Sequence, residues 1–198
     1  MSALPIRAAA AFVLGAVVLP AAAVLAAGAW TPGYGPGPET VSRLASDGQP
    51  WAWLVRTGLV AGGVLLVAGA RALAGRGRPV AALARVSGTA TVVAGLVPKD
   101  PVGVPASTLS TLHVGAAVTG VVALVVAMAL VALRGSERAE RLVAAAAGAV
   151  TVGAGAAFPF LWGSAVYGVV ERVVLAVPAC WLVTLVRPAA AGQAGSQR

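Results

Sequence analysis

Charge is what this chain has least of. Only 10% of its 198 residues are Asp, Glu, Lys or Arg, whereas a soluble domain carries about 25%. Cysteine, histidine and lysine occur once each, as Cys180, His113 and Lys99. A single cysteine excludes an internal disulfide and a cysteine-based metal site. A single histidine excludes a bis-histidine haem within one subunit. The sequence therefore points to no metal and no resident cofactor. The net charge of +8 comes from arginines that punctuate apolar runs instead of clustering on a soluble surface, so it points to no nucleic-acid partner.

What is present is apolar: 59% of the residues are hydrophobic, and the mean hydropathy is +0.91. Few aromatics and 25 glycines fit helices that pack closely through small residues in lipid. The dominance of Ala, Gly, Val and Arg suggests a GC-rich bacterial genome and a bacterial plasma (inner) membrane. A span needs about 20 mostly apolar residues. Six segments qualify: Ala8–Ala29, Leu54–Leu73, Pro79–Val97, Thr108–Leu133, Leu142–Leu161 and Ala165–Val186. They are long, continuous and without the alternation of barrel strands. The expected fold is all-α, a polytopic membrane protein with a six-transmembrane-helix bundle in one domain, residues 1–198. The first segment also reads as a secretory leader, with Arg7 before it and Ala26–Ala29 at its end. Its apolar run exceeds the signal core of about 7–15 residues.

Basic residues in short loops set orientation. Arg71, Arg76 and Arg78, with Arg85 nearby, follow the second span. Arg134, Arg138 and Arg141, with Glu137 and Glu140, follow the fourth. These regions, Arg7 and the tail from Arg187 to Arg198 are expected in the cytoplasm, giving an N-in/C-in topology. The loops Trp30–Trp53, Pro98–Ser107 and Trp162–Ser164 then face outward. Arg85 is expected to snorkel to the cytoplasmic interface.

Glu171 and Arg172 stand side by side within the last span. Ionisable residues in a span are costly and mark functional sites by default. Adjacent helical residues point about 100° apart, so their partners are expected on other helices, at Arg56, Asp100 or His113. At 1.5 Å per residue, the pair lies roughly 9–10 Å, and His113 roughly 7–8 Å, below the outer end of its span. Glu39, Arg43, Asp47 and Lys99 join them on the outer side. Three readings stay open: a structural charge network, an outward-facing polar cavity for a small or lipidic ligand, and a catalytic site. The last would use Asp100 and His113 as acid and base, with Arg172 clamping an anion. A serine hydrolase built on Ser164 and His113 lacks the expected nucleophile context. The motif Gly58-x-x-x-Gly62 matches helix close packing but says little in so glycine-rich a chain.

Several short patterns occur in order. They are Thr40-Val-Ser-Arg-Leu44, Gly48-Gln-Pro-Trp-Ala-Trp53, Val97-Pro-Lys-Asp100, Leu112-His113 and Gly168-Val-Val-Glu-Arg172. Through them the chain resembles the bacterial membrane family catalogued as domain of unknown function 998, over residues from about 30 to 185. The resemblance implies six spans and a polar signature of Ser42, Asp100, His113, Glu171 and Arg172. It implies no reaction and no ligand. The leading expectation is a non-catalytic protein that binds, or helps to move, a small or lipidic ligand through the outward-facing cavity. The alternatives are an enzyme acting on a lipid-linked or extracytoplasmic substrate, and an accessory subunit of a membrane complex. Expected partners are membrane lipid, the ligand itself, and further copies of the chain or a larger membrane complex.

Overall fold

A computed structural model describes residues 6–186. The side chain of Arg7 and the cytoplasmic positions expected for Arg187 and Arg198 lie outside the described residues. Six long helices form the bundle: α1 (Ile6–Trp30), α3 (Ala52–Gly69), α4 (Arg78–Leu96), α5 (Thr108–Arg134), α6 (Arg138–Ala157) and α7 (Tyr167–Leu185). Each, with the 3-10 turns that extend α3 and α6, is long and apolar enough to cross a membrane. A one-turn helix, α2 (Val41–Leu44), lies in the first long loop. No strand occurs among the described residues. The fold is the expected all-α six-helix bundle of a multi-pass membrane protein.

The boundaries differ where glycine and proline act. The second span was expected to run as one helix to Leu73, but α3 gives way after Gly69 to a 3-10 turn, Ala70–Arg76. Gly75 and Gly77 weaken a helix there. Gly77, at φ +116°, then turns the chain into α4, whose first turn holds Pro79. The last helix begins at Tyr167, two residues later than Ala165. Glu171 consequently sits about 6 Å from the helix start, shallower than expected.

Neighbouring spans in the chain are neighbours in space. The segment that also reads as a leader, α1, packs along α3. A Cβ added at Gly58 would lie 2.6 Å from the Ala23 Cβ, and one at Gly62 would lie 2.9 Å from the Ala16 carbonyl. The motif that said little in the sequence is therefore the seam between two helices. Gly63 of α3 and Gly88 of α4 face each other in the same way, each shielding the other's carbonyl. Van der Waals contact at such backbone approaches replaces the hydrophobic drive that lipid removes. Farther from the loops, Val13, Leu66, Leu73, Leu124, Met128 and Trp181 close one buried core. By contrast α6 buries only Ala144 and Thr151.

Candidate functional site

The Trp30–Trp53 and Pro98–Ser107 loops fold over the same end of the bundle, where they meet the start of α7. Backbone dictates what happens there. The first amides of a helix lack intrahelical acceptors, and the Gly37 carbonyl reaches those of α7, accepting from Gly168 N at 2.7 Å and Val169 N at 3.2 Å. Gly168 permits this because it has no side chain, as a Cβ there would collide with the Glu39 backbone.

Glu171 and Arg172, two and three residues beyond these amides, complete the clamp. The Glu171 carboxylate accepts from Val41 N, and from Ser42 N at 3.4 Å. It thus neutralises the free amides that begin α2, beside the Thr40 cap. Arg172 points the other way. Its Nη1 donates to the carbonyls of Pro36 at 2.7 Å, Glu39 at 2.9 Å and Gly168 at 2.8 Å. Its Nη2 donates to the Tyr34 hydroxyl, and the guanidinium lies 5.7 Å from the Tyr34 ring centroid. Tyr34 in turn donates to the Thr40 carbonyl at 3.1 Å. Burial pushes the Tyr34 phenol up from its ordinary value, and the neighbouring Arg172 offsets part of that rise.

A second cluster gathers at the end of α4. Arg56 donates from Nε to the Gly95 carbonyl at 3.3 Å and from Nη2 to that of Leu96 at 3.1 Å. It also pairs with Asp47 at 3.3 Å. These are the carbonyls a helix C-terminus leaves open. His113, buried on α5, places Nδ1 3.1 Å from the Val97 carbonyl. Asp100 holds Ser107, the N-cap of α5, accepting from Ser107 N at 2.5 Å and Ser107 Oγ at 3.1 Å. Lys99 joins the two clusters. Its Nζ donates to Ser42 Oγ at 2.9 Å and its carbonyl accepts from Asp47 N at 3.0 Å. Burial lowers the Lys99 ammonium below the ordinary lysine range, and the Glu171 carboxylate holds it partway up.

The structure brings Ser42 to Glu171, but it gives neither Glu171 nor Arg172 a contact with Arg56, Asp100 or His113. The expected cross-helix pairing is corrected: the partners are backbone groups of the loop, which a list of charged side chains does not contain. Asp100 and His113 likewise make their hydrogen bonds elsewhere, not with each other. Tyr34, absent from the expected site, and Lys99, expected only on the outer side, both hold part of the network. Tyr34 lay hidden in an irregular Gly/Pro segment, and the signal for Lys99 was its being the chain's one lysine.

Two open grooves lie on the flanks of the bundle. One, of about 500 Å³, runs between α4 and α5 past Arg85, Thr89, Ala90, Val93, Leu112 and Thr119. The other, of about 440 Å³, lies between α6 and α7 and includes Cys180 and Trp181. No curated protein and no solved structure matches the chain. The loops and helix ends joined by this network, from Tyr34 to Arg172, all fall within residues 13–188, which match the family model described as protein of unknown function (DUF998), and the chain belongs to that family.

Proposed function

We propose that this is a non-catalytic membrane protein that binds, or helps to move, a lipidic ligand. One observation carries the reading. The polar groups that chemistry would need are held by backbone, as with Asp100 on Ser107 and His113 on Val97, while open grooves with apolar walls lie on the bundle's flanks. The clamped loop is a cover over the polar end. An outward-facing cavity among Arg56, Ser42, Glu171 and Arg172 forms when the Tyr34–Thr40 segment lifts from α7. The membrane is the bacterial inner membrane and the topology N-in/C-in. The Arg76–Glu140 pair, at 2.7 Å, joins the two basic loops at the end opposite the cover, in keeping with the positive-inside rule.

The test is purification in neutral detergent followed by mass spectrometry of what remains bound, with melting measured against a panel of lipids. A retained lipid that raises the melting temperature is expected. A protein that holds no lipid, and whose melting no lipid shifts, would defeat the reading. The accessory-subunit reading has its own observation: a Cβ added at Gly153 or Gly155 of α6 meets nothing within 4 Å. Photocrosslinking from Val152, exposed on that helix, to a protein neighbour and not to lipid would favour it.

A further inference from the structure

Arg85 is the charged residue set farthest into a membrane-spanning helix, and the clamp and the loops leave it unused. It lies on α4 seven residues from Arg78, about 10 Å into the helix, and is exposed on the bundle's flank. None of the three ion pairs among the described residues involves it, nor does any side-chain hydrogen bond described above. A guanidinium at that depth is stabilised by an anion within reach of its stem. The chain offers none at the same level: its six acidic residues are Glu39, Asp47, Asp100, Glu137, Glu140 and Glu171. The first five lie at or near the ends of the bundle, and Glu171 is bound to α2. A second copy of this chain therefore has no carboxylate to bring there.

The groove beside Arg85 has the complementary shape. From Arg85 to Val93 it extends about 12 Å along α4, and its volume of about 500 Å³ falls within the range of about 300–1,000 Å³ usual for ligand sites. Its floor is made of small residues, Ala90, Gly115 and Ala116, and its far end is apolar, Val93 and Leu112. Thr89 stands one helical turn beyond Arg85 on the same face. A polar peptide would leave its amides unpaired in hydrocarbon, and a free phosphate has no use for apolar walls.

We infer that the α4–α5 groove holds an anionic phospholipid, its phosphate paired with Arg85 and one acyl chain lying along Ala90, Val93, Leu112 and Ala116. This rests on the lipid-binding reading above and names its ligand class and site. The long arginine stem extends toward the Arg78 end, so the phosphate sits at that interface. The acyl chain then runs past Thr89 into the groove.

The experiment compares phosphatidylglycerol with phosphatidylcholine in native mass spectrometry of the full chain. The wild type is expected to prefer phosphatidylglycerol by about fivefold, the worth of one arginine near an anionic headgroup. Arg85→Gln should abolish the preference while still binding lipid, and Arg85→Lys should keep most of it. Gly115→Leu fills space in which a Cβ meets nothing within 4 Å, so the fold tolerates it, and both lipids should be lost. If both variants bind phosphatidylglycerol as the wild type does, the groove is the wrong site although lipid binding stands. If the wild type retains neither lipid, the underlying reading fails as well. A dimer that Arg85→Gln disperses would show a second copy in the groove and overturn the proposal.

Discussion

The two ends of the bundle use charge in opposite ways. At the loop end, Arg56, Asp100, Glu171 and Arg172 each meet backbone amides or carbonyls, and those contacts set where the loops lie. At the other end, Arg134, Arg138 and Arg141 are exposed, and the one ion pair among the described residues is Arg76–Glu140. Buried atoms there, Arg71 Nε and Nη2 and Glu140 Oε1, take no hydrogen bond among the described residues. A charge bound to backbone fixes structure, whereas a charge left to solvent and lipid headgroups sorts one end of the molecule from the other. The same residue type does both, and its surroundings decide which.

The sharpest way to break this comparison is to find the ends on the wrong sides. Gly48, Gly103 and Gly77 hold φ of +83°, +87° and +116°, so a cysteine label at any of them would strain the loop. Val102 and Ser136, both exposed, are better positions in a Cys180→Ala background. An impermeant thiol reagent on intact cells should label Val102→Cys fully and leave Ser136→Cys untouched. The reverse pattern would invert the topology.

Next in size are the clamp residues. Arg172→Ala removes a guanidinium from three carbonyls and Tyr34, a loss of about 3 kcal/mol for hydrogen bonds to a charged group. For a chain of this length that lowers melting in detergent by about 6–12 °C. Glu171→Gln keeps one acceptor for the α2 amides and should lower it by about half as much. Because the two side chains bind different backbone groups, the double variant should recover nothing. Recovery would mean that they neutralise each other.

At the opposite end, Arg76→Gln breaks a pair whose side chains are 32% and 10% exposed and which is worth about 1 kcal/mol. Its melting temperature should stay within about 3 °C of wild type. A fall as large as that of Arg172→Ala would erase the contrast between the ends.

The smallest effect concerns Lys99. Its folded-state pKa is lowered, so below that value both states are charged and the cost of burial is in place. As pH rises through it toward the unfolded value of about 10.4, the folded state releases its proton first. The unfolded state then binds more protons, and stability rises with pH. Melting between neutral pH and the unfolded value should show this rise in the wild type and lose it in Lys99→Met.

The helices were legible because hydropathy in long runs is a property of the segment itself, and the six spans follow from it. The clamp was legible only in part. Glu171 and Arg172 stood out as charges within a span and Ser42 through the family resemblance, and Ser42 does meet Glu171. Their strongest partners are the amide of Val41 and the carbonyls of Pro36, Glu39 and Gly168, groups that every residue carries and no composition reveals. The glycine seam was obscured for a related reason. Gly62 and Gly153 read alike, yet one lies against Pro20 and the other faces open space.

The clamp also bears on the order in which the molecule is made. Each long helix packs against the one before it in the chain, so insertion can proceed pair by pair as the spans leave the ribosome. The bond from Val41 to Glu171 joins residues 130 positions apart. It forms only after the sixth span has emerged, and until then both the α2 amides and the Glu171–Arg172 pair lack their partners. Closing the loop onto α7 thus waits for the last span. A chain truncated before α7 would leave Tyr34 and the loop amides without these partners.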